Sequence, residues 1–162
     1  HAAEWIELEK ANVQFDLPEK WETHKKIFGL PLVLKGPRKN GQQPIITVTP
    51  SEVTEIFFNQ KALKKNRENY RRGRRKWLKE YNGKALKFFP YTVESWKNSE
   101  KVHRIGMRYR LQNQTYEEHS YYLNCQKQLF HIKAVYPLKK FQTHKQEIFQ
   151  LIQSFDCQRK VR

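Results

Sequence analysis

The chain has 162 residues, of which 38% are hydrophobic and 14% aromatic, and its formal net charge is +16. This length and apolar content predict one domain with a packed core rather than two domains or a disordered chain. No apolar run reaches the roughly 18 residues that cross a bilayer, so no transmembrane helix is expected. We expect a single domain over residues 1–162, with a folded core at 4–157 and a basic tail at 158–162.

The first half of the chain predicts strands followed by one long helix. Three strands are expected at residues 4–17, 27–35 and 45–48. The first is carried by the alternation of Val13, Phe15 and Leu17 with polar residues. A helix is expected from Ser51 to about Asn82, because apolar residues recur on one face. Gly83 is expected to end it, since glycine accepts a left-handed backbone.

The second half predicts further strands and a final helix. Apolar and polar residues alternate from residue 85 to Tyr136 in segments separated by short polar turns, which is typical of an antiparallel meander. The last helix is expected from about His144 to Phe155, with Thr143 as its N-cap. The simplest arrangement is an α+β fold with one antiparallel sheet of about six or seven strands covered by two helices.

The chain resembles the PsbP/Mog1-like superfamily in pattern and in element order. Phe15-Asp16-Leu17-Pro18 followed by Trp21 is similar to an F-x-x-P-x-x-W opening, and Ser154-Phe155 is similar to a closing "SF" motif. The resemblance implies an α/β/α sandwich around an antiparallel sheet. It also implies an exported bacterial protein of unknown role, since members are mostly non-enzymatic binders or assembly factors, some of them lipoproteins. No functional residue is carried over from it.

The most distinctive local feature is the basic run from Arg71 to Lys76 inside the predicted long helix. Arginine presents a planar fork of donors that suits phosphate or carboxylate. The run therefore predicts a binding surface for an acidic partner. Its predicted residues are Lys64, Lys65, Arg67, Arg71, Arg72, Arg74, Arg75 and Lys76, and the region around them also holds Lys61, Lys79, Lys84 and Lys87. The alternative is a solvated helix face whose long side chains cover the core.

Arg104, Arg108 and Arg110 share one face of a predicted strand. They cannot all be buried unpaired, because an unpaired buried charge is very costly. That face is therefore open to water, at an edge, or paired with acids such as Glu117 and Glu118. These three arginines either extend the basic binding surface or belong to internal ion pairs.

Cys125 and Cys157 are the only cysteines. They fit one disulfide in an oxidising compartment, and they equally fit two buried thiols in the cytoplasm. The first alternative favours a periplasmic or secreted protein. A pair of cysteines alone makes a poor metal site, and the six histidines lack metal-ligand spacing.

No nucleophile, phosphate-loop or dinucleotide motif occurs, so we expect neither an enzyme nor a cofactor. The main hypothesis is an exported binding or assembly protein whose basic surface engages an acidic protein or an anionic envelope component. One alternative is a cytoplasmic nucleic-acid-binding domain, and another is an enzyme with a dispersed site. The sequence does not predict an oligomeric state.

Overall fold

The computed structural model describes residues 4–27, 29–51 and 60–160. Its main sheet has eight strands, all paired antiparallel, in the order β3-β4-β5-β10-β9-β8-β6, with β7 pairing beside β6 on β8. These strands are β3 Glu22–Ile27, β4 Leu30–Lys35, β5 Ile45–Pro50, β6 Lys84–Phe88, β7 Thr92–Trp96, β8 Ser99–Leu111, β9 Gln114–Cys125 and β10 Gln128–Pro137. The predicted meander is confirmed as β8-β9-β10, but the expected count of six or seven strands is too low.

A second, three-stranded sheet joins the two ends of the chain. It consists of β1 Ile6–Glu7, β2 Ala11–Gln14 and β11 Asp156–Arg159, in the order β1-β2-β11. The prediction of one strand over 4–17 was therefore wrong, since a turn at residues 9 and 10 divides it. The tail predicted from 158 was also placed too early. Gln158 pairs with Asn12, and the amide of Lys160 donates to the carbonyl of Lys10 at 3.3 Å, while residues 161–162 lie outside the described part.

The strand predicted over 27–35 is β4, and it follows a strand that apolar patterning did not indicate. β3 is exposed along most of its length because it is the edge strand of the sheet, so its sequence carries no alternation. Pro31 does not make β4 an edge strand, since β4 lies between β3 and β5. Pairing of β4 with β5 begins only at Leu32, so Pro31 precedes that ladder.

Helices lie on both faces of the main sheet. Helix α1, Gln60–Glu80, packs Leu78 against Met107 and Tyr109 of β8. Helix α3, Lys145–Gln153, packs Ile148, Leu151 and Ile152 into the larger cluster, which includes Val102. Odd and even residues of a strand point to opposite faces, so the two helices cover opposite faces of β8. None of the helices within the described ranges combines the length and apolar character that a membrane crossing demands.

The end of α1 differs in one detail from the expectation. Asn82 rather than Gly83 adopts the left-handed backbone, at a φ of 57°. The amide of Gly83 donates to the carbonyl of Leu78 at 2.7 Å, which closes the helix in a Schellman motif. Gly83 is required for space, because a Cβ there would lie 2.7 Å from a methyl group of Leu78. The start predicted at Ser51 cannot be compared, since residues 52–59 lie outside the described part.

The final helical region begins earlier than the apolar stripe indicates. A short helix α2, Leu138–Phe141, and a 3-10 turn, Gln142–His144, precede α3. The N-cap of α3 is His144 rather than the predicted Thr143, and no side chain caps this end. The apolar stripe of α3, formed by Ile148, Leu151 and Ile152, is buried, and so is the following Phe155.

Candidate functional site

The eleven cations of the predicted basic surface divide into two groups in the structure. Three of them, Arg74, Arg104 and Arg108, form ion pairs with buried or half-buried carboxylates. The other eight form no ion pair with any described residue. These eight are Lys64, Lys65, Arg67, Arg71, Arg72, Arg75, Lys76 and Arg110. The two groups are best considered separately, because a cation already paired inside the fold is not available to a partner.

Arg74 connects helix α1 to the sheet. Its Nη2 lies 2.8 Å from Oε1 of Glu118, whose side chain is 1% exposed. The hydroxyl of Tyr70, one turn earlier on α1, donates to the other oxygen of Glu118 at 2.7 Å. Lys133 of β10 lies 3.6 Å from the same carboxylate. Burial and the neighbouring Glu118 carboxylate raise the pKa of Tyr70 far above its usual range, so this hydroxyl remains a donor.

Arg104 and Arg108 point to the opposite face of the sheet, towards α3. Arg108 lies 3.1 Å from Glu117, and Arg104 lies 3.5 Å from Glu94 of β7. Arg104 also donates to Nδ1 of His119 at 3.2 Å. Of the alternatives that the sequence left open for these two arginines, the structure therefore gives internal pairing. Glu117 and Glu118 do not act together, because adjacent residues of a strand face opposite ways.

A buried polar network surrounds Glu117 beneath α3. This carboxylate accepts a hydrogen bond from Tyr136 at 2.9 Å and lies 2.8 Å from Nε2 of His119 and 3.2 Å from Lys145 of α3. Burial alone would raise the pKa of Glu117, but the hydrogen bonds from His119, Tyr136 and Arg108 hold that pKa well below its usual range. The network therefore favours an ionised carboxylate, which is held by hydrogen bonds or ion pairs from β8, β9, β10 and α3.

The ring of His119 is packed as a core side chain. It stacks on Phe89 with 5.2 Å between ring centres, and Phe149 of α3 meets it edge-on at the same separation. Burial lowers the pKa of His119, although the hydrogen bond with Glu117 opposes this. Gly106 lies beneath this stack, where a Cβ would be 3.2 Å from Nδ1 of His119. Sequence reasoning indicated, as one alternative, a pairing of the β8 arginines with acids such as Glu117, but not the participation of His119, Tyr136 and Lys145.

Seven of the eight unpaired cations lie on α1, and the eighth, Arg110, lies in β8 beside strand β6. On α1, Arg67 and Arg71 are half-buried, and the remaining unpaired residues of the predicted set are exposed. Arg71 and Arg75 place their guanidinium groups 5.4 and 4.8 Å from the centre of the Phe88 ring, so they reach over β6. A guanidinium over an aromatic face is held in place while its donors stay available.

Strand β6 adds cations from the other side of the same edge. Lys84 is the cross-strand neighbour of Arg110, and both are exposed. Lys87, also exposed, lies 5.9 Å from the centre of the Phe89 ring. Two apolar side chains stand among these charges, since Tyr81 is 58% and Leu86 46% exposed. We call this surface the α1–β6 rim and define it by Arg71, Arg75, Tyr81, Lys84, Leu86, Lys87 and Arg110.

Sequence reasoning identified most of the cations of the rim but did not predict which elements form it. Lys84 and Lys87 were noted near the basic run, but no pattern indicated that β6 would lie beside α1. Near the start of α1, Leu63, Lys64 and Arg67 line a separate cleft of about 340 Å³ together with Tyr91. The predicted basic surface therefore divides between this cleft and the rim, and the rim continues from α1 onto β6 and Arg110 of β8.

A larger cleft of about 590 Å³ lies at the other side of the molecule. Its lining comes from β1, the turn that follows it, β3, β4 and the end of β5, and it carries charges of both signs, among them Glu7, Lys25 and Lys160. Lys160 forms an ion pair with Glu7 at 3.1 Å, and Lys25 donates to the carbonyl of Glu7 at 3.4 Å. Within residues 4–27, 29–51 and 60–160, no group of three histidine, cysteine or acidic side chains is placed to hold a metal ion.

Cys125 and Cys157 form a disulfide in the structure, consistent with one of the two alternatives that the sequence left open. Their Cα atoms lie 6.2 Å apart, and both residues are buried. Cys125 ends β9 of the main sheet and Cys157 lies in β11 of the small sheet, so the bond joins the two sheets. Gln126 reinforces this junction by donating to the carbonyl of Cys157 at 3.1 Å.

Comparison with solved structures finds this architecture in other proteins, among them the following two. Over 90% of this chain and 86% of that chain, the fold matches the solution structure of cyanobacterial PsbP (CyanoP) from Synechocystis sp. PCC 6803, with a TM-score of 0.62 and 8% identity. Over 96% of this chain and 90% of that chain, it matches LpqN of Mycobacterium tuberculosis, a protein described as involved in cell envelope biogenesis, with a TM-score of 0.63 and 11% identity. No family model and no curated protein matches the sequence. The resemblance to the PsbP/Mog1-like superfamily is therefore confirmed at the level of the fold.

Proposed function

We propose that this chain is a non-catalytic, exported binding protein whose α1–β6 rim engages an anionic partner at the cell envelope. The observation that carries the proposal is the division of the cations. Arg74, Arg104 and Arg108 are paired with internal carboxylates, whereas Arg71, Arg75, Lys84, Lys87 and Arg110 form no ion pair with any residue in the described part of the chain. Like charges brought together without a counter-charge destabilise a fold slightly, so their retention is explained if a partner supplies the counter-charge.

The paired groups support the non-catalytic part of the proposal. Glu117, Glu118 and His119 are buried in the sheet, and each has an ion-pair or hydrogen-bond partner inside the fold. Satisfied networks of this kind fix the positions of strands and helices. The similarity to LpqN, whose description names cell envelope biogenesis, and the disulfide support the exported part.

The rim is tested with poly-L-glutamate as a soluble anionic probe. A variant with Arg71→Gln, Arg75→Gln, Lys84→Gln and Lys87→Gln removes four rim cations. The matched control, Lys20→Gln, Lys97→Gln, Lys127→Gln and Lys139→Gln, removes four exposed cations elsewhere. At about 0.5 kcal/mol for each exposed pair, the rim variant should bind roughly thirtyfold more weakly. Equal affinity of the two variants would contradict the proposal.

The exported part is tested in the native cells. Thiols are trapped with a blocking reagent at lysis, and the mass of the protein shows whether Cys125 and Cys157 are bridged. A bridged pair supports an oxidising compartment. Two blocked thiols would contradict export and would favour the cytoplasmic alternative, in which the rim binds nucleic acid.

A further inference from the structure

Two exposed apolar side chains stand among the cations of the rim, and the fold gives no reason for their exposure. Tyr81 is 58% exposed and contacts the ring of Trp77 on one side, at 5.5 Å between centres. Leu86 is 46% exposed and lies in β6, between Lys84 and Lys87. Contact of an exposed leucine with water is unfavourable. Its burial against a partner that is both anionic and apolar lowers the free energy and leaves the flanking lysines paired.

On this basis we infer that the anionic partner of the rim is a phospholipid bilayer, with the cations at the headgroups and Tyr81 and Leu86 at the boundary of the acyl chains. This inference rests on the proposed function and specifies its partner. Tyrosine and tryptophan are favoured at that boundary because one end of each ring is apolar and the other is polar. The ring of Trp77 contacts that of Tyr81 and would therefore lie close to the same interface.

The geometry of the cations fits a surface better than a groove. Arg71 and Arg75 lie over Phe88 from one face of the sheet, and Lys84 and Arg110 lie on the other side of the same edge. The charges therefore surround a protruding edge and line no cleft. A broad anionic plane can meet all of them at once, and each basic residue near such a plane strengthens binding about fivefold.

An acidic protein and a nucleic acid are weaker candidates for this surface. Phosphate and carboxylate groups would satisfy the cations equally well, but a nucleic-acid backbone offers no apolar environment to Leu86. A partner protein could offer one only in a dedicated pocket. A bilayer offers both environments over its whole area, as it does for amphipathic surface elements generally.

The test measures partition onto vesicles of phosphatidylcholine that contain 30% phosphatidylglycerol, by co-sedimentation of the whole chain, with poly-L-glutamate binding as a second readout. The apolar variant is Tyr81→Ser with Leu86→Thr. Its control is Trp5→Ser with Ile45→Thr, which removes two apolar side chains that are 39% and 37% exposed elsewhere. Thermal unfolding of each variant verifies that it is folded.

We expect the wild-type protein and the control to bind these vesicles and to lose binding on pure phosphatidylcholine. The apolar variant should partition about tenfold more weakly, because roughly half of each side chain is already buried in the folded protein. Its affinity for poly-L-glutamate should be unchanged. The rim charge variant should lose both activities.

Three results would overturn the inference. If the apolar variant partitions like the wild-type protein, or if the wild-type protein binds poly-L-glutamate but not the anionic vesicles, then the bilayer is not the partner, while the proposed function stands. If instead the rim charge variant keeps its affinity for both probes, then the proposed function itself fails, and the bilayer inference fails with it.

Discussion

The guanidinium of Arg74 lies 2.8 Å from the carboxylate of Glu118, whereas the next guanidinium in the chain, that of Arg75, lies over the ring of Phe88. Two adjacent arginines in one basic run therefore have different roles. Arg74 connects α1 to the sheet, and Arg75 faces outwards at the rim. The same distinction separates Arg108, which is paired with Glu117, from exposed Arg110.

Replacement of Arg74 should destabilise the protein, and replacement of its neighbour should not. Arg74→Gln leaves Glu118 buried with Tyr70 and Lys133 as its remaining partners. Removing one member of a buried ion pair typically costs about 3 kcal/mol of unfolding free energy. Arg72→Gln changes an exposed residue of the same run and should stay within about 0.5 kcal/mol of the wild-type value. Urea denaturation measures both, and equal midpoints would contradict the role assigned to Arg74.

Two glycines should respond in opposite ways to a single methyl group. Gly73 lies in the interior of α1 with nothing within 4 Å of an added Cβ, so Gly73→Ala should stabilise the protein by up to about 1 kcal/mol. An added Cβ at Gly106 would collide with the backbone of Glu118 and approach His119. Gly106→Ala should therefore lower the melting temperature, and Gly73→Ala should raise it without altering any rim cation.

Stability should fall as the pH is lowered through the range in which His131 titrates. Burial, helped by Lys133, lowers the pKa of His131 to about 4, against an ordinary value of 6.5. Because the unfolded chain binds the proton first, the stability contribution is complete above about pH 6.5 and is lost progressively towards pH 4. The difference of about 2.5 pKa units corresponds to roughly 3 kcal/mol.

The variant His131→Phe isolates this effect, since a phenyl ring retains the stacking on Tyr122, whose ring centre lies 4.5 Å away. Its unfolding free energy should depend less steeply on pH between 6.5 and 4 than that of the wild-type protein. Denaturant titrations at several pH values provide the comparison. Parallel curves for the two proteins would mean that folding does not lower the pKa of His131.

Loss of the disulfide should weaken the attachment of the small sheet. Replacing Cys125 and Cys157 with serine opens a loop with a sequence separation of 32 residues, which costs about 3–4 kcal/mol on the chain-entropy model. The effect should be largest for β2 and β11, because the bond joins them to β9. Hydrogen exchange of the amides of Val13 and Gln158 should quicken more than that of Ile132 in the main sheet.

Apolar periodicity predicted the elements that are buried on one face and missed those that are not. β8, β9, β10 and the stripe of α3 follow from alternation or helical spacing. Edge strand β3, Glu22–Ile27, is exposed and carries no such pattern. Leu78, which is buried in α1, follows Trp77 in a segment otherwise made of charged residues.

The sequence predicts which basic residues the site contains, but it does not predict how these residues are arranged and paired. Clustered arginines and lysines indicated an anionic partner, yet which of them are paired depends on the register of β8 with β9. That register brings Arg108 opposite Glu117, and turn length sets it. The adjacent Glu118 then points to α1, where Arg74 and Tyr70 meet it. Contacts of this kind join residues more than forty positions apart, and local patterns do not contain them.

The central claim is that the α1–β6 rim is the contact surface, and amine labelling of the wild-type protein tests it without substitutions. Lysines are acetylated with and without saturating poly-L-glutamate, and each site is quantified by peptide mass. The account predicts that Lys84 and Lys87 are protected by the probe, while Lys97, Lys127 and Lys139 are labelled to the same extent in both samples. Uniform protection of all five lysines, or protection that spares Lys84 and Lys87, would contradict it.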